Sequence, residues 1–144
     1  MASNTIVIKG DPIYDEALAA EAITPGHLLE LVPSGADAGQ VRKHATAGGP
    51  AAPMFAVEES HLGEEITDAY ADGDTTHWAH CRRGDVVYAL LGPSEAVAYG
   101  TEVESKGDGT LRTRTTGNFP IAEAEEVVDN TGETTATRLL VKIL

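Results

Sequence analysis

The residues best suited to bind a metal ion lie close together between positions 77 and 81. His77, His80 and Cys81 offer two imidazoles and one thiol, all good ligands for zinc. On a strand, His77 and Cys81 share one face while His80 points to the other. The chain has no second cysteine and no nearby His-x-x-x-His pair to complete a ligand set. We therefore expect no metal site here, only a partly buried thiol on a half-exposed strand.

Other patterns associated with catalysis or ligand binding are incomplete. No Gly-x-Ser-x-Gly elbow occurs, and Gly107-Asp108-Gly109 lacks the Lys-Ser/Thr pair of a phosphate-binding loop. Glu58, Asp72 and Asp74 carry calcium-type ligands, but Asp72-Gly73-Asp74 is too short for an EF-hand loop, which favours a solvated acidic turn. Arg83-Gly84-Asp85 is a tripeptide that adhesion receptors recognise, yet it directly precedes an apolar strand and needs no receptor to explain it. We expect no enzymatic activity and no cofactor.

Composition restricts the possible partners. The chain of 144 residues fits one domain, and its 42% hydrophobic content is ordinary for a globular protein. Its net charge of −13 disfavours nucleic acids and acidic membrane surfaces. No apolar run approaches the roughly 18 residues of a membrane span, and the N-terminus does not resemble a secretory signal. With Cys81 as its single cysteine, the sequence suggests a soluble protein made in a reducing cytoplasm.

The distribution of turn residues predicts many short strands. Fifteen glycines and seven prolines separate short apolar runs. The sequence favours a short helical turn at 15–22 and a short irregular turn or helix at 63–72. We expect a mainly β fold: one compact antiparallel β-barrel or β-sandwich-like domain with at most one or two short helical turns. The predicted strands, besides a central hairpin, are 27–32, 41–45, 52–58, 75–81, 86–91, 121–128 and 135–144.

The N-terminal segment differs from the rest of the chain in its run of β-branched residues. Residues 3–9 are rich in β-branched side chains, and Asp11-Pro12 interrupts them. We divide the chain into an extended N-terminal arm, 1–14, and a barrel-like domain, 15–144. An edge strand within the barrel is the alternative for the same segment, and propensity does not separate the two.

The most detailed local prediction concerns the hairpin around Gly107, Asp108 and Gly109. A three-residue loop with Gly109 in the left-handed bulge position places Glu104 opposite Arg112 and Glu102 opposite Arg114. A two-residue loop would instead place Glu104 opposite Leu111. The opposite-charge pairs favour the longer loop.

Three stretches carry a resemblance to a known family. They are Phe55–Glu58 followed by Gly63–Asp74, then Arg83–Leu91, then Val103–Arg112 followed by Ile121–Asp129. In this order the sequence resembles the head decoration, or capsid-cementing, proteins of tailed bacteriophages, over roughly residues 50–144. The resemblance implies a β-barrel-like virion protein, made in the host cytoplasm, on the outer surface of the expanded capsid. It also implies binding to the major capsid protein, frequent homotrimers and no active-site residues.

For such a protein we expect an apolar extended segment and one aromatic anchor to contact the capsid or a neighbouring copy. These residues are Ser3, Asn4, Thr5, Ile6, Val7, Ile8 and Trp78. One alternative is another non-catalytic phage component, such as a tail protein or head-fibre base. A second is a small β-barrel ligand-binding protein or enzyme, which a pocket holding His77 or His44 beside a carboxylate would favour.

Overall fold

The computed structural model describes residues 4–144, and strands dominate this part of the chain. Its one short helical element is a 3-10 turn, Ser60–Leu62. The described residues form thirteen strands: β1 Val7–Lys9, β2 Ile13–Leu18, β3 Leu29–Leu31, β4 Val41–Lys43, β5 Met54–Ala56, β6 Thr75–His80, β7 Val86–Leu91, β8 Ala96–Val97, β9 Glu102–Ser105, β10 Leu111–Thr113, β11 Ala122–Ala124, β12 Val128–Asp129 and β13 Thr137–Ile143.

Five strands close into a barrel. They pair in the order β7-β10-β9-β11-β13, and β13 returns to β7 in antiparallel register from Thr137↔Leu91 to Lys142↔Val86. The sixth strand, β1, pairs antiparallel with β7, with Val7 opposite Val87. The mainly β, barrel-like fold predicted from the sequence is confirmed.

A second sheet, in the order β2-β6-β5, packs beside the barrel and separates two hydrophobic cores. Alternate residues of a strand point to opposite faces. Phe55 and Ala79 therefore join the barrel core, while Met54, Ala56 and Trp78 join a second core under the β3–β4 hairpin. The middle of this sheet is thus covered on both faces, which explains why β5 is buried at all three positions.

The β9–β10 hairpin has the predicted register. Glu104 lies opposite Arg112, and the Lys106 amide donates to the Thr110 carbonyl at 2.9 Å, which leaves a three-residue loop. Gly109 has φ of +84°, as the bulge position requires. An added Cβ there would also lie 2.8 Å from Lys43, so a glycine is needed for close approach as well.

The helical turn expected at 15–22 does not form, whereas residues 63–72 form the irregular turns that were one of their two expected conformations. The segment predicted as a helical turn at 15–22 includes most of β2, which pairs with β6 over six residue pairs from Ile13↔His80 to Leu18↔Thr75. Those ladder hydrogen bonds outweigh the modest helix propensity of Glu and Ala. The 3-10 turn comes before the segment 63–72, which forms turns and a single bridge from Tyr70 to Ile23.

Candidate docking surface

The predicted contact segment lies against the barrel. Asn4 and Thr5 are exposed, Ile6 is fully buried, and Val7 and Ile8 are half-buried. The Ile6 carbonyl accepts a hydrogen bond of 2.8 Å from the Tyr88 amide, which continues the pairing of β1 with β7. The structure therefore has this segment as an edge strand, and β2 runs across the predicted boundary at residue 14. Ser3 lies outside the described residues.

Trp78 lies on a different side of the second sheet from residues 4–8. Its side chain is 5% exposed and packs in the second core. His77, the preceding residue, points instead toward β1. The structure thus does not bring Trp78 and the N-terminal segment onto one surface, and a contact role for Trp78 stays a prediction.

A cleft of ≈ 290 Å³ lies between the N-terminal segment and the second sheet, and we call it the acidic cleft. Its walls are formed by residues of strands and by the loop that follows β5. It is lined by Thr5, Val7, Tyr14, Val57, Glu58, Glu59, Ser60, His61 and His77.

Two carboxylates organise the acidic cleft. Glu58 accepts hydrogen bonds from the Thr5 hydroxyl at 2.6 Å and from the Ile6 amide at 3.1 Å. These bonds fix the N-terminal segment on the cleft wall. His77 places Nε2 2.5 Å from Glu59 and 3.6 Å from Glu16 on β2. The imidazole therefore links the loop after β5 to the edge strand of the second sheet.

The contacts of His77 limit the chemistry of the acidic cleft. A general base needs a hydrogen bond to the group whose proton it removes. Within the described residues, the ion-pair partners of His77 are carboxylates, and no hydrogen bond joins its ring to a hydroxyl or thiol. The cleft therefore presents carboxylates beside apolar surface, with His77 paired to Glu59 and Glu16. Sequence patterns did not indicate Tyr14, Glu16 or Glu59, since their segments meet only through tertiary packing.

A second histidine, His44, also lies near a carboxylate but is enclosed. Its Nδ1 is 2.7 Å from the Ser105 hydroxyl and its Nε2 is 3.1 Å from the Pro50 carbonyl oxygen, with Glu30 at 3.7 Å. Because a carbonyl oxygen can only accept, Nε2 donates to Pro50, and Nδ1 shares a hydrogen bond with the Ser105 hydroxyl. Because Ser105 is 1% exposed, this Ser-His-Glu arrangement has no access to a substrate and serves to join β4 to β9.

The remaining side chains that could bind a metal ion lie apart from one another or are already hydrogen-bonded within the protein. Burial, with the nearby Asp85 charge, raises the pKa of the Cys81 thiol to about 12. No three His, Cys, Asp or Glu side chains between residues 4 and 144 are placed to hold a metal ion. Asp74 accepts a hydrogen bond from the Ala71 amide in an exposed turn.

The Arg83-Gly84-Asp85 tripeptide is not displayed as an adhesion ligand. Asp85 is 6% exposed, and its carboxylate accepts a hydrogen bond of 2.8 Å from the Arg82 amide. The carboxylate is therefore used to form the turn between β6 and β7. No helix in the described part of the chain is long and apolar enough to cross a membrane.

Comparisons with known proteins find similarity in fold. No protein-family model and no curated protein matches this sequence. Among solved structures, the N base of the head fibre gp8.5 of bacteriophage phi29 is similar, with a TM-score of 0.61 over 92% of this chain and 93% of that chain. The two sequences are 13% identical, so the similarity concerns the fold. It extends over both the barrel and the second sheet.

Proposed function

We propose that this protein is a non-catalytic structural component of a tailed-phage head, attached to the outside of the capsid. The observation that carries the proposal is the fold shared, over nearly the whole of both chains, with the base of a phage head fibre. The motif order in residues 50–144, which resembles phage head decoration proteins, supports the same assignment independently of the fold.

Within this class, we favour attachment of the base of a head fibre or similar appendage over cementing of the shell. The structural similarity is to a fibre base, whereas cementing follows from the sequence resemblance alone. A cementing protein, as a homotrimer bound to several copies of the major capsid protein, would stabilise the shell by mass action and by effective concentration. An attached appendage needs to bind only tightly enough to stay in place.

The surface properties are consistent with a protein used at high copy number. A net charge of −13 keeps free copies apart before they attach. The exposed and half-buried residues Asn4, Thr5, Val7 and Ile8 remain our proposed contact with the capsid or a neighbouring copy. Glu58 holds this segment in place, so it would meet a partner already ordered.

The decisive experiment is sedimentation of the purified protein with expanded, undecorated shells of its own phage. We expect co-sedimentation that saturates at a fixed number of copies per shell. The midpoint of thermal shell disruption then separates the two roles: cementing raises it by several degrees, whereas appendage attachment leaves it unchanged. Failure to bind those shells under any salt condition would refute the head-protein assignment.

The acidic cleft supports one rival function, the binding of a small ligand. It holds His77 beside Glu59, and its ≈ 290 Å³ approaches the lower limit of about 300–1,000 Å³ typical of ligand pockets. A thermal-shift screen of small cationic and neutral metabolites tests this function. A compound that stabilises the wild type but not His77→Ala would favour it.

A further inference from the structure

The outer edge of β2 is an open pairing surface. In the order β2-β6-β5, β6 occupies one edge of β2, and no other strand of the described chain pairs with the opposite edge between Ile13 and Leu18. The Ala20 amide donates to the Val41 carbonyl at 2.8 Å, so the edge is closed just beyond the strand. Six residues span about 20 Å, enough for a short added strand.

Strand alternation identifies which groups face outward. Ala19 donates its amide to Asp74 on the inner side, and Ala20 donates to the outer side. By the same alternation, the amides and carbonyls of Tyr14, Glu16 and Leu18 point outward. The Glu16 amide donates to the Asp15 carboxylate at 2.8 Å, which leaves the amides of Tyr14 and Leu18 for a partner. The side chains of Tyr14, Glu16 and Leu18 share the face of His77, so a strand added at this edge would lie along the acidic cleft.

Three large side chains of this edge are exposed to solvent. Ile13 and Tyr14 are each 60% exposed, and Leu18 is 49% exposed. Proteins usually protect an open edge with charged side chains, prolines, bulges or a covering loop. Here Asp15 and Glu16 supply that protection as negative charge, which a cationic partner neutralises. Tyr14 and Leu18 lie on the face of the acidic cleft and Ile13 lies on the opposite face, so Tyr14 and Leu18 are the apolar surface that such a partner covers.

The negative charge around the β2 edge favours a partner that carries positive charge. A second depression of ≈ 330 Å³ beside the acidic cleft is lined by Tyr14, Asp15, Glu16 and His77. Together the two depressions contain four carboxylates, from Asp15, Glu16, Glu58 and Glu59, and neither is lined by lysine or arginine. A second copy of this chain fits poorly, because antiparallel pairing of two β2 edges brings Asp15 and Glu16 of both copies together.

We propose that the open edge of β2 and the acidic cleft together bind an extended segment of a partner protein that carries Lys or Arg at alternate positions. Backbone hydrogen bonds to the amides of Tyr14 and Leu18 and to the outward carbonyls of this edge supply much of the affinity, while the Glu16 amide stays bound to the Asp15 carboxylate. The cationic groups face Glu16 and Glu59, and their methylene chains lie along Tyr14. This partner site goes beyond the proposed function and does not depend on it.

A synthetic probe tests the site without phage shells. The probe is an eight-residue peptide of alternating arginine and valine, capped at both ends, with an alternating glutamate and valine peptide as its control. For the full-length protein we expect micromolar binding of the arginine peptide by calorimetry, at least tenfold weaker binding of the control, and slowed exchange of the Tyr14 and Leu18 amides. Two variants separate edge pairing from general attraction to an acidic protein.

Glu16→Lys reverses a charge at the site, and Glu133→Lys makes the same net change at an exposed turn far along the chain. Leu18→Pro removes an outward amide while keeping the inner ladder. We expect at least tenfold weaker binding for Glu16→Lys and Leu18→Pro, and less than a twofold change for Glu133→Lys. Equal effects of the two lysine variants, slowed exchange only elsewhere, or no binding at millimolar peptide would overturn the proposal. So would self-association of the wild type that Leu18→Pro abolishes.

Discussion

The guanidinium of Arg138 donates a hydrogen bond from Nη2 to the carbonyl oxygen of Ile66 at 2.7 Å. Its Nη1 also donates to the Pro25 carbonyl at 2.5 Å. Arg138 belongs to β13 of the barrel, whereas both acceptors belong to loops that cover the second sheet. Burial lowers the pKa of this guanidinium, and it holds the two loops to the barrel wall through backbone carbonyls.

Replacing Arg138 should therefore loosen the attachment of those loops. Arg138→Met leaves the carbonyls of Pro25 and Ile66 without their charged donor, and we expect a loss of about 2–3 kcal/mol in the free energy of unfolding. Arg138→Lys should recover part of this, because an ammonium cannot reach both carbonyls with the fork of a guanidinium. Urea denaturation measures both. Arg83→Met, at an exposed turn, is the control, and equal stability of the two Met variants would contradict the prediction.

His27 should make folding sensitive to mild acid. Burial, assisted by the Lys43 charge, lowers its pKa from 6.5 to about 4, and its Nδ1 accepts a hydrogen bond from the Thr24 amide at 3.0 Å. Arg138 acts in the same direction as Lys43, whereas Asp108 opposes both. Between pH 6.5 and about 4 the unfolded chain binds the proton that the folded chain does not. The free energy of unfolding should thus fall as the pH is lowered from 6.5 to about 4, by at most about 3 kcal/mol.

The control for this pH dependence is His27→Asn, whose amide oxygen can accept the same Thr24 hydrogen bond without titrating. Urea denaturation from pH 7 to pH 4 should give a flatter profile for this variant than for the wild type. His61→Asn, at an exposed position, should retain the wild-type profile. Parallel profiles for all three proteins would show that His27 does not cause the loss.

Glu104 should contribute more stability than its neighbour Glu102. Burial acts to raise the pKa of Glu104, but hydrogen bonds from Arg112, the Thr115 amide and Asn118 outweigh it and hold the pKa below 4.5. Glu104→Gln should cost about 1–2 kcal/mol. Glu102→Gln should cost at most about 0.5 kcal/mol, because that pair with Arg114 is partly exposed and 3.4 Å apart.

The same carboxylate gives a second pH signature, at lower pH. Since the folded pKa of Glu104 lies below its unfolded value, its contribution is complete above about pH 4.5 and disappears as the pH falls through the folded pKa. Acid titration of Glu104→Gln should therefore show a smaller loss of stability below pH 4.5 than the wild type. An identical acid profile would argue against this assignment.

Cys81 should be chemically silent in the folded protein. It is 3% exposed, and its pKa is raised to about 12. At pH 8 only about one thiol in 10⁴ is a thiolate, and this thiolate is also inaccessible. We expect Ellman's reagent to react at least 100-fold faster in denaturing urea than in native buffer. Rapid reaction of the native protein would show that the segment around Cys81 opens readily.

Local chemistry explains what the sequence could predict. The β9–β10 register followed from Gly109 and the charges of Glu104 and Arg112, all within a few residues of the turn. The burial of Glu104 could not be foreseen, because the loop 115–118 that covers it is brought there by tertiary packing. The register alone therefore did not show that the carboxylate of this pair is fully buried.

The candidate surface was harder to predict than the fold. β2 lacks the alternation of a half-buried strand, since nearly all its residues are exposed, and its Glu and Ala content favours a helix. Glu58, Glu59 and His77 belong to segments that only the pairing of β5 with β6 brings together. Composition singled out the N-terminal segment as the proposed contact, but it did not predict the attachment of this segment to Glu58.

The closure of the barrel between β7 and β13 also sets a sequence of events during synthesis. Leu91 pairs with Thr137, so the ribosome must add roughly 50 residues after β7 before its partner exists, which takes roughly 3–10 s. During that interval the edge of β7 that will pair with β13 has no partner strand. Unpaired strand edges promote association between chains, so we expect the yield of folded protein to depend on chaperone supply when expression is high.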